Sequence, residues 1–165
     1  MFSKSEMRIT PENITELKEN EVFVFGSNES GIHGAGAALT AKKKFGAEEN
    51  VGFGPRGQSF AIPTKCWDIR GSLPLIAVEC YVGRFAEYAL LHPEKTFYLT
   101  KIGCGLAGFS IDEIAEICSS FASDEFPNVY MPQEFWDYID KKGDDFIFDH
   151  MSLTKEDEPN TDRSK

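Results

Sequence analysis

One segment, residues 21–39 with the sequence EVFVFGSNESGIHGAGAAL, most constrains what this chain can fold into. It begins with β-branched and aromatic residues at 22–25, which are typical of a buried strand. Residues 26–28 follow this strand, and a glycine-rich stretch over 31–36, the first glycine loop, leads into a predicted helix. A strand, a glycine loop and a helix start leave main-chain N–H groups free near the positive end of a helix dipole, where anions bind well. A tight turn that binds no ligand explains the same pattern.

The chain contains this arrangement a second time. A strand predicted over 96–102 ends in Gly103-Cys104-Gly105-Leu106-Ala107-Gly108, the second glycine loop. Ser110 and Glu113 have the spacing of a capping box, so the next helix already satisfies its own first N–H groups. An anion would therefore bind to the amides of the loop itself. Because ligands of open α/β sheets bind beyond the carboxyl ends of the strands, we expect both loops to hold one diphosphate.

Length and composition exclude several classes of protein. The 165 residues, 41% of them hydrophobic, are enough for one domain with a substantial core. The net charge of −10 argues against an extended nucleic-acid surface. No apolar run approaches the length of a membrane span and no signal peptide is evident, so we expect a cytoplasmic protein. The cysteines lack the spacing of a zinc site and suggest reduced thiols, so no metal and no cofactor are expected. They are Cys66, Cys80, Cys104 and Cys118.

Alternation of strand and helix patterns predicts an α/β layered domain over residues 1–150. Residues 151–165 are charged and acidic, and we expect them to be a disordered tail. Proline cannot continue an interior ladder, so Pro63 is expected to end the second strand. The predicted strands cover 21–26, 58–63, 96–102 and 128–131, and the predicted helices cover 10–17, 35–45, 73–91, 110–121 and 133–139.

The sequence IGCGLAG at 102–108 resembles the phosphate-binding loop of macro domains, which are ADP-ribose-binding modules. VFGSN followed by GIHGAGAA, within 24–38, and GQSFAIPTK at 57–65 resemble the segments that precede it in that fold. The resemblance covers about residues 22–132. It is closest to the branch with terminal ADP-ribose protein glycohydrolases and toxin-reversing DNA ADP-ribosyl glycohydrolases, and to small macro-like proteins of phages and bacteria. It implies a three-layer α/β/α fold with a mixed central sheet.

The resemblance also implies roles for individual residues. Asn28 matches the asparagine that binds the distal ribose, and Lys65 matches the lysine that attacks its anomeric carbon in the glycohydrolase branch. The partner is then an ADP-ribose-type small molecule or an ADP-ribosylated macromolecule. The ligand-binding residues expected are Gly26, Ser27, Asn28, Gly34, Ala35, Gly36, Ile102, Gly103, Cys104, Gly105, Leu106, Ala107, Gly108 and Phe109.

Three departures from the family pattern bear on activity. Ala107 stands where the glycohydrolase branch has an aspartate, and the first glycine loop has no acid either. The Gly-Asp-Ile that many macro domains use for adenine is absent near residues 8–10.

His33 is a candidate general base or an ordinary surface histidine. Cys104, beside loop amides, is a candidate low-pKa thiol or a small packing residue.

Two functions remain open on these observations. The first is binding of ADP-ribose or a related NAD-derived nucleotide with hydrolysis of an ADP-ribosyl bond or of an ADP-ribose phosphate, using Lys65 and His33. The alternative is a non-catalytic module that binds or sequesters such a nucleotide. A Rossmann-type oxidoreductase fits less well, because residues 31–36 do not form G-x-G-x-x-G.

Overall fold

A computed structural model describes residues 2–3 and 6–156, of which 145–156 are described by their backbone. Within these residues the chain forms a five-stranded mixed sheet and four α-helices. The strands are β1 Glu21–Asn28, β2 Gly54–Arg56, β3 Ser59–Lys65, β4 Thr96–Leu99 and β5 Val129–Tyr130. The helices are α1 Gly36–Lys44, α2 Leu75–Leu91, α3 Ile111–Ile117 and α4 Gln133–Glu156, with a short 3₁₀ helix at Ser119–Ala122.

The strand order in the sheet is β2-β3-β1-β4-β5, so β1 lies in the centre. β1 pairs in parallel with both β3 and β4, and β4 pairs in parallel with β5. Only β2, of the strands described, is antiparallel to its neighbour. The carboxyl ends of β1, β3 and β4 therefore lie side by side at one edge of the sheet.

Alternating side chains of β1 pack on opposite faces of the sheet, as a strand with both faces covered requires. Val22 and Val24 pack with α2, α3 and α4 in the larger core. Phe23 and Phe25 pack with α1 in a smaller core on the other face. The sheet thus lies between two helical layers, and the three-layer α/β/α fold is confirmed. In the described part of the chain no helix is long and apolar enough to cross a membrane.

Two predictions about proline and capping residues were wrong. The helix predicted over 10–17 is absent, because Thr10 does not cap it: its hydroxyl donates to the carbonyl of Leu99 at 2.8 Å. Ile14 and Leu17 instead pack against the smaller core as irregular chain. Pro63 lies inside β3, beyond the part that β2 pairs with and where the β1–β3 register shifts. A sheet tolerates proline at such an irregularity.

The element ends differ from the prediction at several places. β4 ends at Leu99, and β2 forms in a stretch expected to be irregular. α4 runs to Glu156 and so includes residues 151–156, where the disordered tail was expected to begin. No proline lies between Pro132 and Pro159, and the Met, Leu, Lys and Glu residues of 151–156 are good helix formers. The remainder of the expected tail, 157–165, lies outside the described residues.

Candidate functional site

A cleft of about 340 Å³ opens where β1, β3 and β4 end. The helix that follows β1 packs on one face of the sheet, whereas the helices that follow β3 and β4 pack on the other. Diverging connections of this kind leave a crevice between neighbouring strands, which is where α/β sheets bind ligands. The cleft is lined by Gly26, Ser27, Asn28, Ile32, Gly34, Ala35, Gly36, Ala37, Ala38, Thr64, Lys65, Ile69, Thr100, Lys101, Ile102, Gly103, Gly105, Leu106 and Ala107.

The first glycine loop brings unpaired amides to one side of the cleft. The first intrahelical bond of α1 runs from the N–H of Leu39 to Ala35, which caps the helix without a side-chain hydrogen bond. No acidic residue occupies the first turn of α1. Within the described structure, the N–H groups of residues 34–38 have no hydrogen-bond partner. These donors, together with the positive end of the helix dipole, favour an anion at this position.

The second glycine loop brings unpaired amides to the opposite side. Consecutive N–H groups of Gly105, Leu106 and Ala107 have no partner in the part of the chain that the structure describes. The next helix does not share this property, because the Ser110–Glu113 capping box is present and satisfies the start of α3. Both loops therefore offer main-chain donors to one cleft, with the arrangement that a diphosphate needs.

Two glycines let the strand and the second loop approach closely. A Cβ on Gly26 would lie 3.0 Å from the main-chain nitrogen of Gly103. Gly103 itself has φ +71°, and a Cβ there would lie 2.9 Å from the ring of Phe109. Side chains at either position would push the loop away from the end of β1.

Asn28 uses its side chain mainly to shape the first glycine loop. Its Oδ1 accepts hydrogen bonds from the hydroxyl of Ser30 and the N–H of Ile32, both at 2.9 Å. Its Nδ2 donates to the carbonyl of Ile32 at 2.8 Å, which leaves one amide hydrogen for a ligand. Ser27 lies beside it, and its hydroxyl donates to the carbonyl of Gly52. Ser27 therefore presents main chain, not its hydroxyl, to the cleft.

Lys65 is held at the end of β3 by its backbone, while its amine stays available. Its carbonyl accepts the N–H of Glu29 at 3.1 Å, and its backbone forms a bridge with Ser72. Among the described residues, its Nζ makes no hydrogen bond or ion pair. The other lysine of the cleft, Lys101, pairs with Glu134 at 3.1 Å. Lys65 is thus the cation most available to a ligand in this cleft.

His33 lies outside the cleft, contrary to the expectation that it acts there as a base. Its side chain is 1% exposed, and its ring packs edge-on against Phe25 at 5.3 Å between centroids. Neither ring nitrogen has a hydrogen-bond partner in the described structure. The ring belongs to the support beneath the first glycine loop, not to the ligand-facing surface.

Cys104, expected among the ligand-binding residues, also lies outside the cleft, and of its two candidate roles the structure supports packing. Burial raises the pKa of its thiol to about 11, and Lys101 only partly offsets this. Its Sγ lies 3.5 Å from the carbonyl of Ile102. Gly108 and Phe109 do not line the cleft either, and Phe109 packs on the main core beneath the loop. These residues support the second glycine loop.

Sequence reasoning missed a third loop at this edge, residues 66–72, which we call the Ile69 loop. It is closed by a hydrogen bond from the N–H of Cys66 to the carbonyl of Gly71 at 2.9 Å. Ile69 lines the cleft with φ 60°, a backbone conformation that costs a β-branched residue about 1–2 kcal/mol. The loop follows a strand end, as the glycine loops do, but it lacks the glycine run that drew attention to them.

A second cavity of about 480 Å³ adjoins the cleft and shares Thr100 and Lys101 with it. Its other lining residues come from the segment 9–12 and from the start of α4. Glu12 and Glu134 are the carboxylates among them, whereas no carboxylate side chain lines the cleft itself in the described chain. Asp68 and Asp112, which flank the loops in sequence, do not line the cleft.

Comparisons with known proteins leave this geometry as the main guide to function. The chain matches no protein-family model, no curated protein and no solved structure. The resemblance to macro domains therefore remains an expectation.

Proposed function

We propose that this chain is a cytoplasmic module that binds ADP-ribose or a closely related NAD-derived nucleotide. The observation that carries the proposal is the pair of glycine loops on opposite sides of one cleft, each with a run of unpaired main-chain amides. Main-chain amides bind phosphate oxygens without charged side chains, which is consistent with a protein of net charge −10. The resemblance of 102–108 to the macro-domain loop supports the same ligand.

The adjoining cavity extends the proposal to the rest of the nucleotide. A diphosphate between the two loops would place the two ends of ADP-ribose on either side, the terminal ribose toward Lys65 and the adenosine over Thr100 and Lys101. The arm over Lys101 would enter the second cavity, where Glu12 supplies a carboxylate for an exocyclic amine of a base. A terminal ribose would then lie beside Lys65.

Hydrolysis of an ADP-ribosyl bond is the second candidate function, and the unpaired amine of Lys65 favours it. In this route the amine bonds to the anomeric carbon while the bond to the leaving group breaks and the leaving group takes up a proton. The resulting glycosylamine opens to a Schiff base, and water hydrolyses this to ADP-ribose and the free lysine. The Ala107 departure and the cleft's lack of a carboxylate among the described residues oppose this route, so we place binding first.

Isothermal titration calorimetry with ADP-ribose tests the proposal. We expect one site with a Kd of about 1 μM, and we expect Lys65→Ala to weaken it about tenfold through loss of one charged contact. Lys43→Ala is the matched control, since Lys43 is exposed on α1 and outside the cleft. Absence of heat with ADP-ribose, ADP-ribose 1″-phosphate and NAD alike would overturn the proposal.

Turnover separates the two candidates. The wild-type chain and Lys65→Arg are incubated with mono-ADP-ribosylated protein, and released ADP-ribose is measured by mass spectrometry. Release by the wild-type chain that disappears in Lys65→Arg, with an adduct on Lys65 after borohydride reduction, establishes hydrolysis. Tight binding without release establishes the binding module.

A further inference from the structure

Ile69 adopts a backbone conformation that is unfavourable for its residue type. It is β-branched, it has φ 60°, and its N–H donates to the carbonyl of Cys66 at 3.0 Å. The left-handed region suits glycine or asparagine and strains an isoleucine. Asn50 is the other non-glycine residue with positive φ among those described, and its residue type tolerates that conformation.

Packing in the free protein does little to offset this strain. Ile69 is 39% exposed, so much of its side chain faces solvent at the cleft. Strained residues of this kind persist where they serve a site, and the cleft is the feature that this side chain contacts.

Two further exposed aliphatic residues line the same cleft. Ile32 of the first glycine loop is 45% exposed, and Leu106 of the second glycine loop is 78% exposed. Each of the three loops at this edge therefore contributes one exposed aliphatic side chain to the lining of the same cleft. Apolar side chains placed around a polar cleft indicate a ligand with an uncharged face beside its anionic centre.

We infer that Ile69 is a specificity-determining residue that covers the terminal ribose beside Lys65 and selects an uncharged group, not a further phosphate, at that ribose. This inference rests on the proposed binding of ADP-ribose. A phosphate on the terminal ribose would find one side-chain donor, the amine of Lys65, and would lose water against aliphatic side chains that give it no hydrogen bond. A ribose hydroxyl or an uncharged organic substituent loses far less, so the substrate class is ADP-ribose itself or an ADP-ribosyl group on an uncharged acceptor.

Calorimetry on three variants at position 69 tests the inference, with ADP-ribose and ADP-ribose 1″-phosphate as probes. The wild-type chain should bind ADP-ribose about tenfold more tightly than the 1″-phosphate. Ile69→Gly and Ile69→Asn should bind ADP-ribose about tenfold more weakly and lose most of that preference. Ile69→Val keeps a branched aliphatic face and should stay within about twofold of the wild-type chain.

Thermal unfolding distinguishes a specificity-determining role of Ile69 from a purely structural one, because the two roles predict Tm changes of opposite sign. Relief of backbone strain should raise the Tm of Ile69→Gly by about 2–4 °C, whereas a core residue would lower it. Asn50→Gly, which changes the other positive-φ residue, is the control and should leave both affinities unchanged. A lower Tm, or an unchanged preference between the two nucleotides, overturns the inference while leaving the proposed function intact. Failure of the wild-type chain to bind either nucleotide overturns the proposed function, and the inference with it.

Discussion

The hydroxyl of Ser72 donates a hydrogen bond to the main-chain carbonyl of Ala107. This bond joins the Ile69 loop to the second glycine loop, two of the three loops that border the cleft. The backbone bridge between Ser72 and Lys65 extends the connection to the end of β3. A single serine thus links Lys65, the strained Ile69 and the amides proposed to bind phosphate.

Removal of the Ser72 hydroxyl should reduce ligand affinity more than it reduces the stability of the fold. We expect Ser72→Ala to lower the free energy of unfolding by about 0.5 kcal/mol, because the bond is exposed, and to weaken ADP-ribose binding about threefold to tenfold. Urea denaturation and calorimetry measure the two effects, and hydrogen exchange should increase within 103–108. Ser119→Ala, at an exposed serine outside the cleft, should change neither quantity. Equal exchange rates in Ser72→Ala and the wild-type chain would show that the bond does not order the loop.

A side chain at Gly105 should block the ligand without disturbing the fold. Gly105 lacks positive φ, and a Cβ built on it meets no atom within 4 Å, so Gly105→Val should fold with stability within about 0.5 kcal/mol of the wild-type chain. The added side chain would occupy the approach to the loop amides, and we expect affinity for ADP-ribose to fall at least about tenfold. Gly83 on α2 is also unobstructed, and Gly83→Ala should add about 0.5–1 kcal/mol of stability and leave binding intact. Undiminished binding by Gly105→Val would place the phosphate elsewhere.

The buried imidazole of His33 should be replaceable by a hydrocarbon. Both of its ring nitrogens are unpaired within the described structure, and unpaired buried polar atoms cost about 1–3 kcal/mol. We therefore expect His33→Leu to raise the free energy of unfolding by about 1 kcal/mol, measured by urea denaturation. His33→Ala should lower it by about 2 kcal/mol, because it leaves a cavity against Phe25. Nucleotide binding and any turnover should survive His33→Leu, and their loss would restore a direct role for this residue.

The sequence predicted the features that depend on local chemistry. The strand at 22–25, the Ser110–Glu113 capping box and the alternation of strands with helices were all predicted because each follows from neighbouring residue types. The two glycine loops were predicted as neighbours from the rule that strand ends share an edge, and both line the cleft. Features set by contacts between distant segments were not predictable in this way. Thr10 binds the carbonyl of Leu99 instead of capping a helix, and nothing in the sequence near residue 10 indicates that partner.

The errors at the candidate site have the same origin. His33 and Cys104 are chemically capable residues beside glycines, and their neighbours in sequence indicate exposure. The fold turns both side chains inward, His33 against Phe25 and Cys104 toward the core beneath the loop. Ile69 was missed for the opposite reason, since its residue type indicates burial and only its backbone angle and exposure reveal the cleft.

A tyrosine–glutamate pair links β4 to the start of β1, at the other end of β1 from the cleft. The phenol of Tyr98 on β4 donates to the carboxylate of Glu21 at the start of β1. This bond, and then the N–H of Lys18, lower the pKa of Glu21. Burial, and then the bond to Glu21, raise the pKa of Tyr98 to about 12.

The two shifts limit the stabilisation to a window of pH. A lowered carboxyl pKa contributes stability above its unfolded value of about 4.3, and the contribution is lost as pH falls through the folded value. A raised phenol pKa contributes stability below its unfolded value of about 10, and this contribution is lost as pH rises toward about 12. Tyr98→Phe should therefore be less stable than the wild-type chain by about 0.5–1 kcal/mol between about pH 5 and 10, a modest value because the pair is partly exposed. The difference should shrink on both sides of that window in urea titrations at fixed pH. Tyr130→Phe is the control, because the phenol of Tyr130 makes no hydrogen bond among the described residues. It should lower the free energy of unfolding by an amount that does not change across this pH range. If the loss of stability in Tyr98→Phe is equally independent of pH, the Glu21–Tyr98 hydrogen bond is not the cause of that loss.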